Sequence, residues 1–297
     1  MKLINRIGKF FVDEKETDLQ QQDTAEDEAV TGLENDNKIL GEYPVIENSK
    51  IVFSGKNNIL FCEQGVVLKD STITFNGDNA VVYLSKNNHS YFLDLSANSS
   101  NVFYMGRDNY INRIMHIILS ERKHVFIGSK GIFSFEIWMR NADPHLIYSC
   151  ESGHRLNNSQ SIFLGDHVWV GQSAMILKGT EIDSGSIIGA MSVVAGKKIG
   201  HNSSWGGNQA RKISDSVFWD GACVHNWKQE KTQKSQVYAS FYNTDPERYI
   251  YGYDRNQVIP FKDLDAAFDR NSPEENVEFL KALSDNNCKN RFVHEVS

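Results

Sequence analysis

The sequence is poor in the features that would mark a disulfide scaffold, a membrane span or a nucleic-acid binder. Its four cysteines, Cys62, Cys150, Cys223 and Cys288, are far apart and form no C-x-x-C pair, which argues against a structural zinc site and for a reducing compartment. Cys150 has His154 nearby and Cys223 has His225, but each pair is only half a zinc site, so no metal is expected. No apolar run approaches the roughly 20 residues of a membrane span. The net charge of −7 carries no basic stripe, which excludes electrostatic capture of nucleic acid as a main function. With 297 residues there is ample chain to bury a core without cross-links.

The first eleven residues, MKLINRIGKFF, alternate Lys2, Arg6 and Lys9 with apolar positions, a basic amphipathic pattern without the apolar core of a signal peptide. A cytoplasmic protein is therefore expected. A peripheral contact of this terminus with the inner face of the membrane is the bolder reading, and a frayed terminus the plainer one. Between Asp13 and Asp36 stand ten acidic residues against one Lys, too little apolar surface for an ordered core. Residues 1–44 are read as this amphipathic start plus an acidic tether. From 45 to 124 the texture changes to short runs such as Ile51-Val52-Phe53, Ile59-Leu60-Phe61 and Val81-Val82-Tyr83-Leu84, bounded by Gly, Asn and Asp, the pattern of many short strands without a clear period.

A period appears further on. Counting in sixes from Leu164, the first places are Leu164, Val170, Ile176, Ile182, Ile188 and Val194; the fifth places are Val168, Ala174, Thr180, Ser186, Ser192 and Lys198. An aliphatic residue every six, with a small or β-branched one four places later, suits a triangular β-coil: each face takes one large inward side chain and each corner a small one. Three faces make a turn, and stacked turns pair their strands in parallel. The same period shows less cleanly at Ile127, Phe133 and Met139, with Gly131, Ile137 and Asp143 in fifth place. The coil is thus read over 125–213, interrupted by a loop over 141–161 that must leave the prism, and such loops are where function usually sits. Residues 214–297 read as an aromatic and helical extension. Ser272-Pro273-Glu274-Glu275 supplies a helix start, and FKDLDAAFDR a shorter helix.

Three segments carry a resemblance. Asp166-His167-Val168-Trp169-Val170-Gly171, Gly189-Ala190-Met191-Ser192-Val193-Val194 and Gly207-Asn208-Gln209-Ala210-Arg211 resemble the D-x-x-W-[ILV]-G, G-A-x-S-V-V and G-N-P-A-[KR] segments of the hexapeptide-repeat acyltransferases, with Gln209 where Pro is usual. With RNADPHLIYS and the Leu156-Asn157 pair, their order resembles bacterial capsule O-acetyltransferases, including those acting on sialic acid polymers. The resemblance covers about residues 125 to 220. It implies an all-β, left-handed parallel β-helix, a homotrimer with sites between neighbouring prisms, acetyl-CoA as co-substrate and a polysaccharide or sugar as acceptor.

A sugar hydroxyl is a poor nucleophile until a base takes its proton, and histidine suits that task. His145 stands in the inserted loop, just past Pro144, at the place matching the family's catalytic His; His154 is the rival in the same loop. Asp143, Glu136, Glu151 or a backbone carbonyl are the candidates to fix its tautomer. Asn141 and Asp143 are read as acceptor-binding. Trp169, in the sixth place of its hexad, points away from the core; its indole N–H is a candidate donor to the developing oxyanion, and a trimer contact is the alternative. The resemblance places the donor's pantetheine arm along the Gly171-Gln172 and Gly189-Ala190 corners, and its phosphates near Lys197, Arg211 and Lys212. Trp205 either stacks on the adenine or closes the coil. Tyr238, Tyr242, Tyr249, Tyr251 and Tyr253 are read first as glue for the tail and second as a sugar platform. Competing readings are N-acetylation of an amino sugar nucleotide, a carbonic-anhydrase-type zinc hydratase using His145, His154 and His167, and a scaffold without catalysis.

Overall fold

A computed structural model describes residues 29–238, 258–285 and 291–294. The N-terminal amphipathic stretch, most of the acidic segment, Cys288 and Tyr242, Tyr249, Tyr251 and Tyr253 lie outside them. Within them the chain winds into the expected parallel β-helix of three sheets. One runs in eight strands from Val30–Thr31 to Val193–Ala195, a second in eight from Lys38–Gly41 to Lys198–Ile199. A third runs from Tyr110–Ile111 to Ser204–Gly206, where Arg211–Ser214 closes it in antiparallel fashion. These are called the first, second and third faces below.

The six first-place hexad residues and Val168, Ala174, Thr180, Ser186 and Ser192 are all fully buried. The corners admit hydroxyls because the backbone satisfies them: Thr180 Oγ1 donates to Val194 O at 3.1 Å and Ser186 Oγ to Gly200 O at 2.9 Å. Lys198 is the exception. It is exposed, and the frame slips by one residue so that Ile199 pairs with Ile182 and takes the inward place.

The N-terminal half is also a coil, with a repeat of its own. Ile51, Ile73, Leu95, Ile117 and Met139 stack at intervals of 22 residues in the first face, whereas Ile176 and Val194 are 18 apart. The longer turns have four-residue strands and roomier corners, whose extra backbone groups are met by buried asparagines. Asn58 accepts from Ala80 N at 2.8 Å and donates to Gly77 O at 2.8 Å; Asn101 donates to Lys123 O at 2.7 Å.

The second face is buried on both sides. Outward-pointing Phe61, Tyr83, Tyr104, Phe126 and Phe163 form a column with ring centroids 4.5 to 6.3 Å apart. After the short helix α1 (Gln229–Lys234), two helices cover this column: α2 (Phe261–Arg270), through Phe261, Leu264 and Phe268, and α3 (Pro273–Asp285), through Val277, Leu280 and Leu283. The start of α3 is the expected capping box: Glu275 N donates to Ser272 Oγ at 3.2 Å and Ser272 N to Glu275 Oε2 at 2.7 Å.

Candidate active site

Met139 and Ile176 are direct neighbours in the first face although 37 residues separate them, so the chain between Arg140 and Ile162 leaves the prism and returns. It departs at the corner between the first and second faces. Its two limbs are tied by Asn157, whose Oδ1 accepts from Ile147 N at 2.9 Å while its Nδ2 donates to His145 O at 2.7 Å and Asp143 Oδ2 at 3.0 Å. Arg155 binds Glu121 of the preceding turn through two bonds of 2.8 Å, and Lys178 of the following turn pairs with Asp143 at 2.5 Å. Arg155 and Ser159 together push the Glu121 carboxyl down to about 2, and Lys178 and then Asn157 hold Asp143 below its usual range. The loop is therefore braced to the coil above and below. Beneath it, on the first face, runs a groove of about 730 Å3 with Trp138, Met175 and Leu177 among its floor residues and Asp143, Pro144 and Leu156 along its wall.

His145 stands on this braced loop with its ring exposed. None of the three carboxylates named for it is its partner: Asp143 is taken by Lys178, Glu136 accepts from Ser173 Oγ at 2.7 Å, and Glu151 makes no side-chain bond to it. His154 lies in a turn, its backbone bonded to Ser149 and Ser152. The structure gives Asn141 a different task from acceptor binding. It is fully buried, accepting from Ser120 N at 2.8 Å and donating to Lys123 O at 2.7 Å, a corner asparagine like Asn58 and Asn101.

Trp169 points outward, 40% exposed, but from the third face, so the chain does not by itself bring it to His145. Gly171-Gln172 and Gly189-Ala190 stack one above the other at the corner between the third and first faces. A Cβ on Gly171 would stand 2.5 Å from Ala190 N, which is why the corner can be no bulkier. Lys197 sits at the opposite corner, beside the groove's end. Arg211 is exposed at the start of the closing strand, shortly after the cis Asn208–Gln209 peptide, and Lys212 is engaged by Asp215 at 3.1 Å. Trp205 is partly buried against the core and donates to Ser203 Oγ at 3.1 Å. Tyr238 meets Phe218 edge to face. The three histidines named for zinc do not converge within the chain; among the described residues the one cluster with metal-ligand spacing is His124, Asp265 and Asp269, and Lys123 already pairs with Asp269 there.

Among curated proteins, the chain is 26% identical over 131 residues to a polysialic acid O-acetyltransferase of Neisseria meningitidis, a match covering 44% of this chain and 60% of that one. It is 29% identical over 126 residues to the polysialic acid O-acetyltransferase of Escherichia coli O1:K1 / APEC, covering 42% and 40%. The chain thus spans about half the length of the curated relatives it matches. Among solved structures, the polysialic-acid-specific acetyltransferase NeuO shares its fold with a TM-score of 0.55 at 24% identity, over 70% of this chain and 97% of that one. No family model matches the chain. Inward-facing hexads and a shared solenoid make this a likeness of fold. The chain has the β-solenoid fold of that acetyltransferase.

One neighbour of Trp169 has no signal in the six-residue frame. Trp219, from the extension, stacks on His167 with centroids 3.8 Å apart and planes 2° from parallel, and lies 6.2 Å from the Trp169 ring. Its indole N–H donates to His167 O at 3.1 Å, and His167 Nε2 meets Trp219 O at 3.3 Å. Burial pushes His167 down to about 4 from an ordinary 6.5. A depressed histidine takes up fewer protons in the folded state, so its contribution is present above about pH 6.5 and is lost as pH falls toward 4, on the order of 3 kcal/mol at most. Buried Asp166, raised to about 6, works in the opposite direction, so the wild-type curve alone mixes the two. Thermal midpoints measured between pH 4 and 7 should fall more steeply on acidification for the wild type than for His167→Asn; parallel curves would refute the assignment.

Proposed function

We propose that the protein is an O-acetyltransferase that moves an acetyl group from acetyl-CoA to a sugar hydroxyl of a bacterial capsular or surface polysaccharide, with His145 as general base. The observation that carries this reading is the loop 141–161: a segment braced to the turns on both sides lines a groove through Asp143 and Pro144 and carries the exposed His145 next in the chain. The polysialic acid O-acetyltransferases among its relatives support the acceptor class.

The residues present suit the donor. The groove floor is apolar, the Gly171 and Ala190 corner lets backbone groups be approached closely, and Lys197 and Arg211 have no carboxylate partner among the described residues to neutralise them. Bound acetyl-CoA would supply the thioester carbonyl carbon. His145 would accept the hydroxyl proton as the new C–O bond forms, and return it to the departing sulfur as the C–S bond breaks. Asp143, locked by Lys178 and Asn157, would set the angle at which the loop leaves the prism. The separation of His145 from Trp169 within one chain, and the exposed Leu146, Ile147, Tyr148 and Leu156 on the loop, support a homotrimer in which the loop of one protomer meets the third face of the next. The requirement for acetyl-CoA and the exposed Cys150 and Cys223 suit the cytoplasm.

Transfer is direct, without an acetyl-enzyme: Cys62 is enclosed and burial pushes its thiol up, and among the described residues no base is hydrogen-bonded to the exposed Cys150 or Cys223. Incubation with labelled acetyl-CoA alone should leave the protein unlabelled, whereas adding polysialic acid should yield label in the glycan that hydroxylamine removes. A stable acetyl-protein would overturn direct transfer, hydroxylamine-resistant label would indicate N-acetylation, and no labelled glycan with any sugar acceptor would overturn the proposal as a whole.

A further inference from the structure

Two outward side chains of the first face are left unexplained by packing. The strand Trp138–Arg140 turns Met139 into the core and presents Trp138 and Arg140 to the groove. Trp138 is 37% exposed. Arg140 is half-buried, its Nε is shut off from solvent without a hydrogen-bond partner, and its guanidinium makes no ion pair among the described residues. The carboxylate beside it, Asp143, is already held by Lys178 at 2.5 Å and Asn157 at 3.0 Å. A partly desolvated, unpaired cation is costly unless an anion arrives to meet it.

The surface continues beyond this pair. Trp138 stacks on His116 with centroids 4.2 Å apart and planes 15° from parallel, and His116 Nδ1 lies 2.8 Å from Asp94 Oδ2. Trp138, His116 and Asp94 are direct register partners on successive strands, so they form one column leading away from the groove at about 4.8 Å per step. The second face is covered by α2 and α3, and the third is crossed by Trp219. The column stands on the face that nothing among the described residues covers.

We propose that Arg140 and Trp138 form a subsite for a carboxylate-bearing sugar, and that His116 and Asp94 extend it as a platform for the adjoining residue of a glycan chain. The planar guanidinium suits bidentate pairing with a carboxylate. The exposed indole offers a flat apolar face to the C–H side of a pyranose, and Asp94 accepts from sugar hydroxyls. This inference rests on the acetyl-transfer reading of the groove and narrows its acceptor to an acidic glycan.

The test separates the two. Full-length His145→Ala protein is titrated calorimetrically with α2,8-linked sialic acid oligomers and with the same oligomers after conversion of their carboxylates to amides. The acidic oligomers should bind about tenfold or more tightly than the amides. Arg140→Gln, in the same background and with an unchanged thermal midpoint, should abolish that preference, and Trp138→Ala should weaken binding of both. In otherwise wild-type protein, Arg140→Gln should raise the acceptor KM about tenfold and leave the acetyl-CoA KM alone. Equal binding of acids and amides overturns the subsite. So does a rise in the acetyl-CoA KM in place of the acceptor KM, which would make Arg140 a phosphate ligand. Arg140-dependent binding of acidic oligomers with no acetyl transfer by the wild type would sink the enzymatic reading and leave the subsite standing.

Discussion

Replacing His145 by alanine is expected to lower kcat for acetyl transfer by roughly 10^2- to 10^4-fold, the usual contribution of a positioned general base. The thermal midpoint should move by no more than about 2 °C. The two expectations have one structural cause. The His145 ring is exposed and bonded to nothing among the described residues, while the backbone carbonyl that fixes the loop, accepting from Asn157 Nδ2 at 2.7 Å, survives any substitution. His154→Ala is the control, because His154 belongs to the same loop but is placed in a turn, and it should retain most of the wild-type rate. A His154→Ala enzyme as slow as His145→Ala, or a His145→Ala enzyme within about threefold of wild type, would remove His145 from the mechanism. Initial rates with saturating acetyl-CoA decide the matter.

The largest expected effect on stability lies far from the groove. Phe126→Ala should destabilise the protein by about 3–5 kcal/mol in denaturant titration, the range for deleting a fully buried phenyl ring. Phe126 is completely enclosed. It stacks on Tyr104 at 4.8 Å on the solenoid side and meets Phe292 edge to face at 4.8 Å on the extension side. Its loss opens a cavity between two rigid layers, neither of which can collapse without breaking strand pairs or helix contacts. Limited proteolysis should then cut first in the extension. A loss below about 1 kcal/mol would mean that the helices do not pack on the second face as described.

Much of the solenoid could be read from the sequence because the later turns are regular. From Leu164 to Val194, every sixth residue is forced inward by the same triangular cross-section, so composition repeats with geometry. The earlier turns obey the same logic at 22 residues, but four-residue strands and asparagine-lined corners break the six-residue frame, and Ile51, Ile73, Leu95 and Ile117 pass unnoticed at that spacing. A second signal was available. Ile59-Leu60-Phe61-Cys62, Val81-Val82-Tyr83-Leu84 and Val102-Phe103-Tyr104-Met105 are buried at every position, the mark of strands covered on both sides, and they call for a cover before any helix is located.

The candidate site is legible in the sequence as a place and not as a set of contacts. The break in period at Asn141 marks where the loop leaves the coil, yet the bonds that brace it, Glu121 to Arg155 and Asp143 to Lys178, join different turns and leave no trace in spacing. Asn141 looked like a ligand because it opens the loop. It is better understood as the last asparagine of the wide corners, where the buried backbone needs both ends of an amide. Arg140 escaped notice for the opposite reason: its interest lies in having no partner, and absence of a partner is a property of the folded chain alone.

The cover on the second face joins residues made at very different times. Lys38 meets Glu274 at 2.8 Å, Glu63 accepts from Ser284 at 2.6 Å, and Arg107 reaches Asp285 at 3.1 Å. A ribosome adding roughly 5–20 residues per second therefore releases the turns carrying Phe61, Tyr83 and Tyr104 on the order of ten seconds or more before the helices that will hide them. During that interval the nascent coil bears a bare aromatic stripe, open to any apolar surface nearby. Its vulnerable period is set by the order of synthesis, and the arrival of α3 is what ends it.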